Sequence, residues 1–268
     1  MSTTKTALVT GASSGIGLAT AAALVQRGYR VIGTSRDPSS IPESLRLPGV
    51  EYLRLDLADE VSLAALAGQA GAVDVLVNNA GESQSGPLEE LPREALERLF
   101  QVNVIGAVRL TQLLLPGMRE RRFGRVVMVG SMLASFPLAY RSSYVASKAA
   151  IKGFAEAARL ELAPFGVGIT TVEPGSINTG ISERRTKYLR EDSPYSEGFT
   201  TAISTLDAKE ATGITADQVA ARIIEAIEAS SPAPFYAVGS NAPVVFVLKR
   251  LAPRRLVEKI VARKFGLA

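Results

Sequence analysis

The sequence predicts one doubly wound α/β domain, a parallel sheet of about seven strands with helices on both faces. Three observations carry this expectation. Short β-branched runs alternate with longer helical segments along most of the 268 residues, the pattern of right-handed βαβ units. The strand candidates are continuous apolar runs rather than alternating ones, as required when helices cover both faces of a sheet. No internal repeat and no long linker divides the chain.

In order, Ala7-Leu8-Val9 is the first strand candidate, and Gly17 to Arg27, rich in Ala and Leu, is a helix stopped near Gly28. Arg30 to Thr34 and Tyr52 to Leu55 are the next strands. Asp59 caps a helix running toward Gly68, and Val73 to Val77 is the fourth strand. Two helices follow, around Arg93 to Leu99 and Val104 to Arg119. Arg125 to Val129, a long helix from Ser143 to Leu162, and the strand Gly168 to Val172 complete six strands. Asp217 to Ala229 and Phe235 to Val238 add a helix and a seventh strand. Residues 176–207 are polar, mixed in charge and without a clear strand. They read as a mobile excursion at the rim that lines and covers a substrate pocket. Tyr188, Tyr195 and Phe199 are either its apolar lining or its anchors. The expected division is a Rossmann-type domain over residues 1–240 and a basic amphipathic extension over residues 241–268 packed on it.

Composition narrows the chemistry. With 47% hydrophobic residues a large core needs no disulfide or metal staple. The chain contains no cysteine and no histidine, which removes thiolate chemistry, the commonest general base and the commonest zinc ligand. No metal site is expected. Acid–base work falls to Tyr, Lys, Asp or Glu. From Ala242 onward seven basic residues face one acid, a net +6 that leaves the body at −2 within the total of +4. Met1 to Lys5 leads straight into a strand-like run without signal-peptide character. No apolar stretch is read as approaching the ~20 residues that span a bilayer. A soluble, cytoplasmic protein is the expectation.

Thr10 to Gly17 reads TGASSGIG, between the first strand and the first helix. Gly11 allows a tight bend, Gly15 close backbone approach and Gly17 helix–strand packing. With Ser13, Ser14 and Ile16 they offer N–H groups and a positive dipole end to a pyrophosphate. At the end of the second strand, where an acid would accept a ribose 2′-OH, stand Ser35 and Arg36. A guanidinium there pairs with a 2′-phosphate and favours NADP(H) over NAD(H). Arg36 as a plain solvated residue is the alternative, and Asp37 adds an opposing charge. Asp56, followed by Leu57, is placed to bond an adenine amino group or to cap a helix.

Tyr144 and Lys148, four residues apart, share a helical face. A free phenol titrates near ~10, and a neighbouring ammonium lowers that value. Tyr144 then serves as proton donor to a carbonyl or acceptor from an alcohol. Ser131 directly follows the fifth strand, where sheet ligands bind, and is preferred over Ser135, Ser142 and Ser143 for holding a substrate oxygen. Asn78-Asn79-Ala80-Gly81 follows the fourth strand, as a close cofactor approach or a turn. Asn103 interrupts an apolar helical stretch. It either holds a water linked to Lys148 or braces the backbone. Pro174-Gly175-Ser176-Ile177-Asn178-Thr179 follows the sixth strand.

In this order TGASSGIG, Asp56, NNAG, Asn103, Ser131, YVASK and PGSINT resemble the short-chain dehydrogenase/reductase family, from about Thr6 to about Val238. The resemblance implies catalytic roles for Asn103, Ser131, Tyr144 and Lys148. It implies cofactor contacts from the glycine turn, Ser35, Arg36, Asp56, Leu57, Asn79, Ala80 and Gly81, from Tyr144 and Lys148, and from Pro174, Gly175, Ile177 and Thr179. It implies a homo-oligomer of two or four copies. Thr34 to Asp37 and the C-terminal extension look most like hydroxysteroid and retinol dehydrogenase-like members, which implies a bulky apolar ketone, aldehyde or alcohol as substrate. The rival readings are a catalytically silent nucleotide-binding sensor and a dehydratase or epimerase on the same fold.

After Ser240 the chain alternates apolar and basic residues. Val244 to Leu248, Leu251, Leu256, Val257, Ile260, Val261 and Phe265 form apolar helical faces broken at Pro253. Packing on the body beside the substrate mouth, or at a subunit contact, is the favoured reading over a membrane-surface helix. Nucleic acid is not an expected partner, because no aromatic platform accompanies the charge.

Overall fold

The strands of the sheet bury side chains on both of its faces. A computed structural model describes residues 4–242 and 244–267. β1 (Thr6–Val9) sends Leu8 to one face of the sheet and Ala7 and Val9 to the other, the period of two that a pleated strand imposes. α1 (Gly15–Gln26) returns the chain to β2 (Arg30–Ser35), which is followed by β3 (Val50–Arg54), α2 (Glu60–Ala70) and β4 (Val75–Asn78). A two-residue strand, β5 (Gln84–Ser85), precedes α3 (Arg93–Phe100) and α4 (Ala107–Glu120). β6 (Gly124–Val129), the long α5 (Ser142–Leu162) and β7 (Val167–Pro174) come next.

The main sheet has seven strands. Counting β11 (Phe235–Val238) near the C-terminus, their order is β11-β7-β6-β4-β1-β2-β3, every pairing parallel. One face, with Leu76, Val126 and Met128, packs against Leu63 and Leu66 of α2, Leu110 and Met118 of α4 and Ile151 of α5. The opposite face, with Val75, Val77 and Val127, packs against Leu24 of α1 and against Ile223 and Ile227 of α7 (Ala216–Glu228). The strand order reverses between the neighbours β1 and β4. The crevice beyond the carboxyl ends of these strands is where ligands bind in such sheets.

Two sequence expectations need correction. Residues 176–207 are not a structureless excursion. β8 (Ile177–Asn178) pairs with β10 (Ile214–Thr215), β9 (Thr186–Lys187) pairs with β5, and α6 spans Ser196–Ala211. Two-residue strands leave no periodic trace in a sequence, and the Thr- and Ser-rich start of α6 has weak helix propensity. The buried positions Phe199, Ala202, Ile203, Leu206 and Glu210 nonetheless carry helical spacing.

The second correction concerns Arg93 to Glu120. The two expected helices form, as α3 and α4, but they run on as one 28-residue segment long and apolar enough by composition to cross a bilayer, where no such stretch was expected. Its apolar side is the seam of a core helix, with Leu99, Val102, Val104, Leu110, Leu114 and Met118 buried. The join, Gln101–Gly106, is a π-helical turn. It lets Gly106 lie against Leu57, where a Cβ would come within 2.2 Å of the Leu57 carbonyl oxygen.

Candidate active site

The glycine turn is built for close approach. Gly11 and Gly15 have φ of 67° and 54°, the left-handed region that suits glycine. A Cβ on Gly17 would sit 2.2 Å from the Gly11 carbonyl oxygen, so α1 packs directly under the turn. Asn79 ties the turn to the end of β4. Its Nδ2 donates to the Thr10 oxygen at 2.9 Å, and its N–H donates to Thr10 Oγ1 at 2.9 Å. No side chain caps the start of α1, which leaves its first N–H groups and the dipole end toward the cavity.

That cavity, of about 790 Å³, runs from the glycine turn to the tail. Every site residue named from the sequence lines it except Gly17, which lies beneath the turn, and Asn103. Thr179 faces Gly15 across it, 3.3 Å from the position of a Cβ. Arg36 is exposed at the rim. The Asp37 carboxylate is turned away from it, accepting from the Ser39 hydroxyl at 2.6 Å and the Ser39 N–H at 2.9 Å. These bonds hold its pKa below the ordinary carboxylate value. Asp56 accepts from the Ala58 N–H at 2.9 Å while Asp59 caps α2, so Asp56 is free of the capping role. The turn without a Cβ, the uncapped helix start and the rim guanidinium together fit a phosphorylated dinucleotide.

At the other end, α5 carries Tyr144, Ser147 and Lys148, all buried. Lys148 Nζ donates to the Val129 carbonyl at 2.9 Å, and burial lowers its pKa to about 8. Ser131 lies two residues beyond β6, and its Oγ accepts from the Leu133 N–H at 3.2 Å. The competing serines are occupied elsewhere or off the cavity. Ser135 takes Lys152 at 3.2 Å and Ser143 takes Gln84 at 3.0 Å, while Ser142 Oγ is buried without a partner. Asn103, in the π-helical turn, bonds both main-chain groups of Glu82, accepting at 2.7 Å and donating at 3.0 Å. The backbone brace read from the sequence is thus formed.

The expected tuning of Tyr144 by Lys148 also needs correction. Burial is the largest influence on the phenol and raises its pKa, and the principal opposing charge is Arg141. The Arg141 guanidinium lies 4.1 Å from the Tyr144 ring centroid, whereas Lys148 Nζ is 5.8 Å away. Arg141 is only 2% exposed. Its Nη1 donates to Ser83 Oγ at 3.1 Å, the Gln84 carbonyl at 2.6 Å and Ser85 Oγ at 3.1 Å. Burial lowers its pKa to about 10, still far above neutrality, so it is a standing cation. Tyr140 before it holds φ of 63°, a strained value for a non-glycine residue, with its carbonyl held by the Gly86 N–H at 2.9 Å. Sequence reading passed over Arg141. The available signal was a lone cation inside an otherwise uncharged stretch, three residues before Tyr144.

Of the loop aromatics, Tyr188 lines the cavity and Tyr195 and Phe199 do not. Phe199 is buried with Leu138 and Ile203, and Tyr140 stacks edge-on to both rings at 6.5 and 5.6 Å. The tail supplies the outer wall through α8 (Val244–Leu251) and α9 (Arg254–Lys264), with Val245, Ala252 and Val261 on the cavity.

Residues 5–189 match the family model described as short chain dehydrogenase. The chain belongs to the short-chain dehydrogenase/reductase family. Its members are oxidoreductases that act on alcohols and ketones with a nicotinamide cofactor. The chain is 31% identical over 245 residues to the 3-ketodihydrosphingosine reductase of Bacteroides thetaiotaomicron, covering 89% of each. A short-chain dehydrogenase from Streptomyces avermitilis superposes with a TM-score of 0.81 at 34% identity, over 98% of this chain and 97% of that one. Another, from Burkholderia cenocepacia J2315 in complex with NADP, superposes with a TM-score of 0.77 at 26% identity, over 96% and 97% of the two chains.

Proposed function

We propose that this family member is an NADP(H)-dependent oxidoreductase that interconverts a carbonyl and an alcohol on a bulky apolar substrate, with Tyr144 as proton donor and acceptor. The observation that carries it is one cavity that starts at the glycine turn with Arg36 on its rim and ends at Ser131, Tyr144 and Lys148. When bound, the nicotinamide cofactor supplies or accepts the hydride. The chain's own residues do the rest. Arg36 pairs with a 2′-phosphate, and the Burkholderia relative is one crystallised with NADP. Ser131 holds the substrate oxygen, and Tyr144 gives it a proton in reduction or takes one in oxidation. A phenol raised by burial remains protonated at neutral pH, which suits reduction. Lys148 and Arg141 stabilise the negative charge that develops on the Tyr144 oxygen as the phenolate forms. The apolar wall contributed by Leu133, Phe136, Leu206 and Val261 favours an apolar substrate body, and the Bacteroides relative is by name a reductase of a keto compound.

Tyr144→Phe is expected to abolish turnover while NADPH still binds, read by steady-state assay and by fluorescence titration. Turnover near the parent rate refutes the role. Arg36→Ala is expected to weaken NADPH by about tenfold with little change for NADH, the worth of one exposed charge-assisted contact. Equal losses for both cofactors refute the 2′-phosphate contact.

A further inference from the structure

We propose that α8 and α9 form a docking face for an anionic lipid bilayer. The two helices have a seated side and an open side. On the seated side the Phe246 ring meets Phe136 at 5.3 Å and Phe235 at 5.1 Å, and Phe265 is buried among Leu138, Phe199, Ile203 and Leu206. On the open side Val244, Val247, Leu248 and Leu251 follow one another at helical spacing and are 57–80% exposed. Leu256 and Ile260, one turn apart on α9, are 48% and 55% exposed. Such a stripe is the side a globular helix ordinarily buries. Here it faces outward at one edge of the molecule, the property of an interaction surface.

The charge around the stripe selects its occupant. Arg250, Arg254, Arg255, Lys259, Arg263 and Lys264 are all exposed, with Glu258 the single acid among them. A second copy placed on this face about a two-fold axis sets a net +5 from these residues against +5, which is repulsive. An anionic bilayer complements both features, taking the apolar stripe at the acyl boundary and the basic residues at the headgroups. The face is continuous with the cavity, because Leu248 and Ile260 belong to the stripe and also line the cavity wall. An apolar substrate thereby has a route from the lipid surface to Tyr144. That route rests on the function proposed above, whereas the docking itself does not.

The test uses the full chain with phosphatidylcholine vesicles, with and without phosphatidylglycerol, by co-sedimentation and without any turnover assay. The protein is expected to sediment with the phosphatidylglycerol vesicles and to be released by added salt. Val247→Glu with Leu251→Glu, at exposed positions off the cavity, is expected to lower the bound fraction about tenfold with an unchanged melting temperature and solution mass. Arg254→Gln with Lys259→Gln is expected to lower binding to anionic vesicles while the helical signal stays constant. Equal sedimentation with neutral vesicles, or none with either, overturns the proposal. A double glutamate variant that halves the solution mass overturns it too, by making the face a contact between copies. Because binding is read directly, an inactive enzyme that still docks refutes only the catalytic reading.

Discussion

Tyr144 sits between two cations that the burial of its surroundings has made unequal. Lys148 is four residues on, on the same face of α5, but its ammonium is held by the Val129 carbonyl at 2.9 Å. Arg141 lies over the ring, 4.1 Å from its centroid. A positive charge favours the phenolate, so Arg141 lowers a pKa that burial has raised. Replacing it with an uncharged side chain raises that pKa further. Alcohol oxidation needs the phenolate, and its rate climbs with pH as the phenol ionises. In Arg141→Met this climb is expected to move to higher pH, while carbonyl reduction near neutrality, which needs the protonated phenol, keeps its pH optimum. Arg141→Lys is expected to restore the position of the limb. A role in packing alone would lower kcat in both variants and leave the limb in place. Tyr144, Lys148 and Ser131 were legible in the sequence because each follows a strand or shares a helical face. Arg141 was not, because only the fold brings Ser83, Gln84 and Ser85 around its guanidinium.

Among the elements, the segment after β7 departs most from its sequence reading. Ion pairs tie its parts to one another, while Phe199, Ile203 and Leu206 pack it on Leu138 of the body. Arg185, beside β9, has a fully buried side chain that pairs with Glu210 at 2.6 Å and also with Asp207, both on α6. Lys187 reaches Asp207 at 2.9 Å. Breaking such a pair strands a buried charge, at a cost of about 3–5 kcal/mol. Arg185→Met is accordingly expected to lower the melting temperature and to raise KM as the wall beside Tyr188 loosens. The pair Arg185→Met with Glu210→Gln is expected to recover part of the loss, since no unpaired carboxylate remains. Thermal denaturation and steady-state kinetics check both, and a double variant no better than the single one contradicts the clasp. The strands of the main sheet, by contrast, were visible as apolar runs. The glycine turn was visible because its backbone demands glycine at Gly11, Gly15 and Gly17 whatever surrounds it.

At the scale of the molecule, the seven parallel strands and their helices build a cavity that no single segment outlines. The cofactor end is local: one strand, one turn and one helix start make it. The substrate end draws on the β5–β9 pair, on α6 and on the two tail helices, which lie far apart in the chain. Sequence alone determined the alternation of elements, the glycine turn, the Tyr144–Lys148 pair and the absence of histidine and cysteine chemistry. These are properties of short stretches or of composition, written in spacing that a reader can count. Tertiary structure decided that Arg141 faces Tyr144, that Asn103 braces Glu82, that residues 176–207 are clasped and that one side of the tail is left apolar and open. Each of these depends on distant segments meeting, and burial, which sets the charge and partners of a side chain, exists only once they have met.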